Sequence, residues 1–126
     1  MKNDHKKTSF ELSLKIAAEH KRRIGVEDES EWYWVKGENV EKLYLHADAV
    51  IAKQHWPLLN LYRAYDTEEL LERLPNQADI TKDTSSPDLG NYWASEGRLG
   101  SPTFWADTAA EACGTLYLEL LQKDVI

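Results

Sequence analysis

Asp107-Thr-Ala-Ala-Glu-Ala-Cys-Gly-Thr-Leu-Tyr-Leu-Glu-Leu-Leu121 is the stretch whose reading decides the fold. Thr108 and Glu111 stand in capping-box relation, the Thr hydroxyl accepting from a first-turn N–H while the Glu carboxylate reaches back. Asp107 and Glu111 also place negative charge at the positive end of the helix dipole. At 3.6 residues per turn Ala109, Ala112, Cys113, Leu116, Tyr117, Leu120 and Leu121 fall on one broad arc, opposite Glu111, Thr115, Glu119 and Gln122. The stretch therefore predicts a helix over 109–122 whose apolar face needs a partner. Gly114 costs about 1 kcal/mol relative to Ala in a helix interior and suits close approach of a strand.

Working outward, two further helices carry signals. Phe10, Leu12, Leu14 and Ile16 alternate as in a strand, whereas Phe10, Leu14, Ala17 and Ala18 repeat as in a helix. The continuation Ala17-Ala-Glu-His-Lys-Arg-Arg23, with cations at its end and Gly25 beyond, decides for a helix over 10–23. Asp66-Thr-Glu-Glu-Leu-Leu-Glu-Arg-Leu-Pro75 reads as a short helix over 67–74, capped by Asp66 with Glu69 three residues on and ended by Pro75.

The strands are read between them. Glu31-Trp-Tyr-Trp-Val-Lys36 is the clearest, with Trp32 and Trp34 on one face. Gly37-Glu-Asn39 is a turn, and Val40 to His46 returns as an antiparallel mate. Leu58 to Tyr65, Ala78 to Lys82 and Asn91 to Ser95 read as further short strands, and Thr103 to Ala106 as the lead into the last helix. Residues 47–57 carry no clear signal, and Pro57 argues against a central strand there. The expected architecture is an α+β domain over 9–126 after a flexible polar start at 1–8. Its expected core is one antiparallel sheet of four to five strands with the leading and terminal helices packed on one face.

Composition narrows the function classes. The chain has 126 residues, enough for one domain with a core that needs no disulfides. Its single cysteine, Cys113, lies mid-arc on the last helix, where a small buried hydrophobe is the plainer reading than a nucleophile or redox sensor. Such cysteine usage suits a reducing cytoplasm. Met1 to Lys7 is charged and leads into no uninterrupted apolar run, so neither a secretory signal nor a membrane association is expected.

The net charge of −7 is uneven: residues 1–23 hold seven basic against three acidic side chains, and the remainder has a formal charge of −11. That balance disfavours direct nucleic-acid binding, which needs clustered Lys and Arg. It leaves two readings of the surface, a solvated acidic exterior or one that steers a cationic partner. Glu27, Asp28, Glu29, Glu68, Glu72, Asp83 and Asp88, drawn from the three acidic clusters 27–31, 66–72 and 83–88, are the candidate contact carboxylates for such a partner.

No motif for chemistry is present. His5, His20, His46 and His55 form no i, i+4 zinc pair, and no second cysteine exists; His46, Asp48 and His55 have only a common unassigned loop in their favour. Nucleophile elbows, Walker loops and dinucleotide fingerprints are absent, and Gly97-Arg-Leu-Gly100 is too short to serve as one. No catalytic, cofactor-binding or metal-binding residue is therefore assigned, no cofactor is expected, and an enzyme with scattered site residues stays as an alternative. Five tryptophans could stack sugars or bases, but three lie on expected strands or strand edges where a sheet would bury them. Trp56, beside Pro57, is the candidate exposed anchor for a protein partner.

Glu29-Ser-Glu-Trp-Tyr-Trp-Val35, Ala64-Tyr-Asp-Thr-Glu-Glu-Leu-Leu-Glu-Arg-Leu-Pro75 and Ala106 to Leu121 together resemble a set of short uncharacterised proteins of bacteriophages and prophages. In these a leading helix ends in Gly, an aromatic strand follows, then an "ELLxxLP" helix and a terminal "DTxAEAL" helix. The resemblance spans most of the chain, more weakly over 36–60 and 76–103, and its motifs are structural. It implies an accessory protein acting by protein–protein interaction without catalysis, or an acidic inhibitor of a host factor, such as an anti-defence protein or nucleic-acid mimic. The partner and the oligomeric state are left open.

Overall fold

The computed structural model describes residues 6–23, 32–37, 41–97 and 100–123. The chain falls into two compact units, Ser9–Tyr65 and Met1–Thr8 with Asp66–Ile126.

The 9–65 unit contains α1 (Phe10–Arg23), β1 (Trp32–Lys36), β2 (Glu41–Leu45), α2 (His46–His55) and β3 (Asn60–Arg63). The helical reading of 10–23 holds because Leu12, Ile16 and His20, each four residues apart, are buried on one face. The Ser9 hydroxyl accepts the Leu12 N–H at 3.2 Å and starts the helix. The strands form an antiparallel sheet in the order β2-β1-β3, with Trp34 opposite Leu43 on one side and Tyr62 on the other. Strand alternation sends Trp32 and Trp34 to one face and Tyr33 and Val35 to the other. Phe10 of α1 meets Trp34 and Tyr62 edge-on, at 6.1 and 5.8 Å between ring centres. The opposite face is covered by α2, whose Ala49 is buried with Val35 and Leu59 while Tyr33, Tyr44, Ala52 and Leu61 close around them.

The other unit, acidic in that 66–126 holds twelve carboxylates against four Lys and Arg, contains α3 (Thr67–Arg73), β4 (Asp79–Lys82), β5 (Tyr92–Ser95), β6 (Thr103–Ala106) and α4 (Ala109–Gln122). Its sheet is antiparallel in the order β4-β5-β6, with Ile80, Ala94 and Phe104 side by side. α4 lies against all three strands and α3 and buries nine residues, among them Ala112, Cys113, Leu116, Leu120 and Leu121. Thr108 caps it by accepting the Glu111 N–H at 3.2 Å. Asp66 and Glu69 form a complete capping box on α3, at 2.8 and 3.2 Å. Gly90 has φ 123°, and a Cβ there would strike the Ala106 backbone, so the turn into β5 requires glycine. Of the polar start, residues 6–8 are described: Lys7 forms an isolated antiparallel bridge with Asp66, and Thr8 is fully buried.

The α+β class and three expected helices are present, but the expected single sheet of four to five strands is replaced by two three-stranded sheets. Each strand pairs with a near neighbour in sequence, and α3 separates the two sets. The leading and terminal helices consequently pack on different sheets rather than on one face. Residues 103–106 add a sixth strand, and most of the unassigned stretch forms α2. No helix among the described residues is long and apolar enough to cross a membrane.

Candidate functional site

Two surfaces carry features that folding alone does not require. The first is the end of α2 and the turn after it. The helix closes with the Trp56 N–H donating to the Ala52 carbonyl at 2.9 Å, and the Leu59 N–H then donates to the Trp56 carbonyl at 3.0 Å. Lys53 fixes the same turn by donating its amine to the Leu59 carbonyl. Leu59 is thereby held in the core while Trp56 and Leu58 project outward, 64% and 93% exposed. On α2, Ile51 and His55 stand i, i+4 on the face away from Ala49, and the His55 ring lies 5.8 Å from that of Trp56. Of the eight large apolar side chains exposed among the described residues, five lie between Leu45 and Leu58. From Ala49 to Tyr65 the sequence has no carboxylate. Trp56 thus stands exposed, as the sequence reading placed it; Leu58, which that reading assigned to a strand, is more exposed still.

The second surface belongs to the acidic unit. Residues 66–126 hold twelve carboxylates against four Lys and Arg, a formal charge of −8, whereas Ser9–Tyr65 carries nine against eight. The acidity therefore divides at 65/66. Glu68 and Glu72 are exposed one turn apart on α3, and Asp88 is exposed in the β4–β5 connection. Asp83 has local work instead: one oxygen accepts from the Ser85 hydroxyl at 2.6 Å and N–H at 2.9 Å, the other from Trp93 Nε1 at 3.3 Å. The hydrogen bonds from Ser85, with a smaller one from Trp93, hold its carboxyl below the usual carboxylate range against a small desolvation effect. Glu27, Asp28 and Glu29 lie outside the described residues.

Between the starts of α3 and α4 this unit also opens a cleft of about 650 Å³, bordered by Lys6, Asp66, Glu68, Lys82, Tyr92 and Asp107. Sequence reading missed it, since its walls come from residues up to about a hundred positions apart that share no local pattern. Its lining has both signs of charge but neither thiol nor imidazole, and it offers a ligand polar and ionic contacts. Cys113 is buried away from solvent, and burial pushes its thiol up to about 11, which keeps it protonated at neutral pH. Among the described residues no group of three or more His, Cys, Asp and Glu is placed to hold a metal ion, so His46, Asp48 and His55 do not converge as one.

Comparison with family models, with curated proteins and with solved structures gives no match for this chain.

Proposed function

We propose that this chain is an accessory protein of bacteriophage or prophage type that acts by binding another protein and performs no catalysis. The observation that carries this reading is the projecting turn of Trp56 and Leu58, extended along α2 by Ile51 and Val50. Apolar side chains held outward by hydrogen bonds, on a stretch without carboxylates, are what the centre of a protein interface uses. Trp56 supplies the large rigid anchor and Leu58 the projecting apolar tip.

The test is capture of partners from a bacterial host lysate by the intact protein and by Trp56→Ala and Leu58→Asp. Loss of a captured protein with both variants, while their melting temperatures stay at the wild-type value, is the expected result. A partner retained by both variants defeats the assignment of this surface.

A second reading is favoured by the charge of −8 on residues 66–126: an acidic inhibitor occupying the cationic groove of a host factor. Glu68, Glu72 and Asp88 are then contact residues, and binding falls as salt rises through the physiological range. Replacing the three by Gln or Asn separates the readings, because the apolar turn is untouched.

A further inference from the structure

We infer that residues 9–65 are a module inserted into the chain of the acidic unit, and that a clasp between Lys7 and Asp66 closes the neck through which the chain enters and leaves it. The acidic unit is made of two pieces of sequence, with Ser9–Tyr65 between them. The pieces meet at the antiparallel bridge of Lys7 with Asp66, just before Ser9 and just after Tyr65. Such a bridge brings two Cα atoms to about 5 Å, so the two ends of the intervening stretch stand side by side, as an insertion requires.

Side chains reinforce the backbone. Lys7 Nζ donates to Asp66 Oδ2 at 3.4 Å, and the Lys7 side chain is only 11% exposed, so water and salt screen this pair less than a surface pair. Asp66 uses its other oxygen, Oδ1, to accept the Glu69 N–H at 2.8 Å, and its own N–H donates to Glu69 Oε1 at 3.2 Å. One carboxylate therefore closes the neck and starts α3. The inserted stretch has its own sheet, two helices and the Val35–Ala49–Leu59 core, all built from residues between Ser9 and Tyr65. Opening the clasp loosens residues 6–8, and α3 as well when the cap is lost, while the module stays folded.

Amide hydrogen exchange on the full chain separates these effects. Asn caps a helix about as well as Asp, so Asp66→Asn removes the charge that holds Lys7 and leaves α3 capped. Exchange at residues 6–8 then rises severalfold, with α3 unchanged. Asp66→Ala also removes the cap and raises exchange in α3 by about fivefold. In both variants α1 and β1–β3 exchange as in the wild type. Exchange in β1–β3 rising together with that in α3 overturns the insertion. Residues 6–8 as protected in Asp66→Asn as in the wild type overturn the clasp, and this variant decides even if Asp66→Ala does not accumulate.

Discussion

The two units begin from nearly the same parts, a three-stranded antiparallel sheet and a fourteen-residue helix, and arrive at different surfaces. In the acidic unit α4 spans all three strands and buries nine side chains or backbone positions, so one helix supplies most of the core. In the 9–65 unit α1 lies against β3, and α2 covers the other face with the small residues Ala49 and Ala52. A small-residue face lets α2 sit close to the sheet, but it leaves the larger Val50 and Ile51 outside. Where one long apolar arc does the burying, charge can fill the surface. Where burial is shared between two thinner faces, apolar side chains remain exposed.

The same substitution in each unit gives the largest contrast. Leu116 is 1% exposed on α4, and Leu116→Asp sets an unpaired charge among apolar neighbours, a loss of more than about 4 kcal/mol that unfolds the acidic unit. Leu58→Asp, on the projecting turn, changes stability by less than about 0.5 kcal/mol. Thermal melts followed by circular dichroism check both, and wild-type melting of Leu116→Asp would show that the α4 face is not a core.

Loss of a cap is the next effect. Thr108→Ala removes the acceptor of the Glu111 N–H and lowers stability by about 1 kcal/mol, readable as a shifted urea midpoint with an unchanged slope. Asn at the same position restores the acceptor and most of the stability. Equal losses for Ala and Asn would mean that side-chain volume, not the hydrogen bond, matters there.

Cys113 gives a pH-dependent prediction. Its folded pKa is raised to about 11 by burial, above the ordinary thiol value of about 8.5. The stability linked to the neutral thiol is therefore complete below the ordinary value and is lost as pH rises from there through about 11. A thiol reagent at neutral pH should label the native protein far more slowly than the urea-unfolded one. Equal labelling rates would place the thiol at the surface. The smallest effect is at Asp83, whose folded pKa is lowered chiefly by Ser85. Its contribution is present above the ordinary carboxylate range and fades as pH falls through the folded value. Carbon-13 carboxyl titration of the wild type and Ser85→Ala reads this directly, and an unchanged Asp83 midpoint in the variant would remove Ser85 as the cause.

Legibility followed local signals. α1, α3 and α4 were readable because each carries a start or stop written in neighbouring residues: the closing cations and Gly25, Asp66 with Glu69 and Pro75, Thr108 with Glu111. α2 was not, since its N-cap Leu45 provides no side-chain hydrogen bond and Ala49 is its one fully buried residue, which leaves no large apolar period to detect. The number of sheets was hidden for a different reason. Partner choice among short strands depends on which helix covers them, a long-range matter that alternation in 4 or 5 residues cannot encode. Trp56 could be placed outside the core because Pro57 interrupts any strand there. Leu58 was absorbed into a neighbouring apolar run and looked like part of a strand, and the cleft beside α4 joins residues with no sequence relation at all.

Trp56 also changes what the protein can report about itself. Four of its five tryptophans are half-buried on strands, and Trp56 alone is exposed. Water relaxes around an exposed excited indole and moves its emission to longer wavelength, so Trp56 dominates the red edge of the spectrum and is the indole most open to iodide. A partner seated on the turn would blue-shift that edge and shield it from the quencher, with no label attached. Trp56→Phe supplies the blank, and the difference spectrum isolates one side chain in one surface as an optical gauge of occupancy.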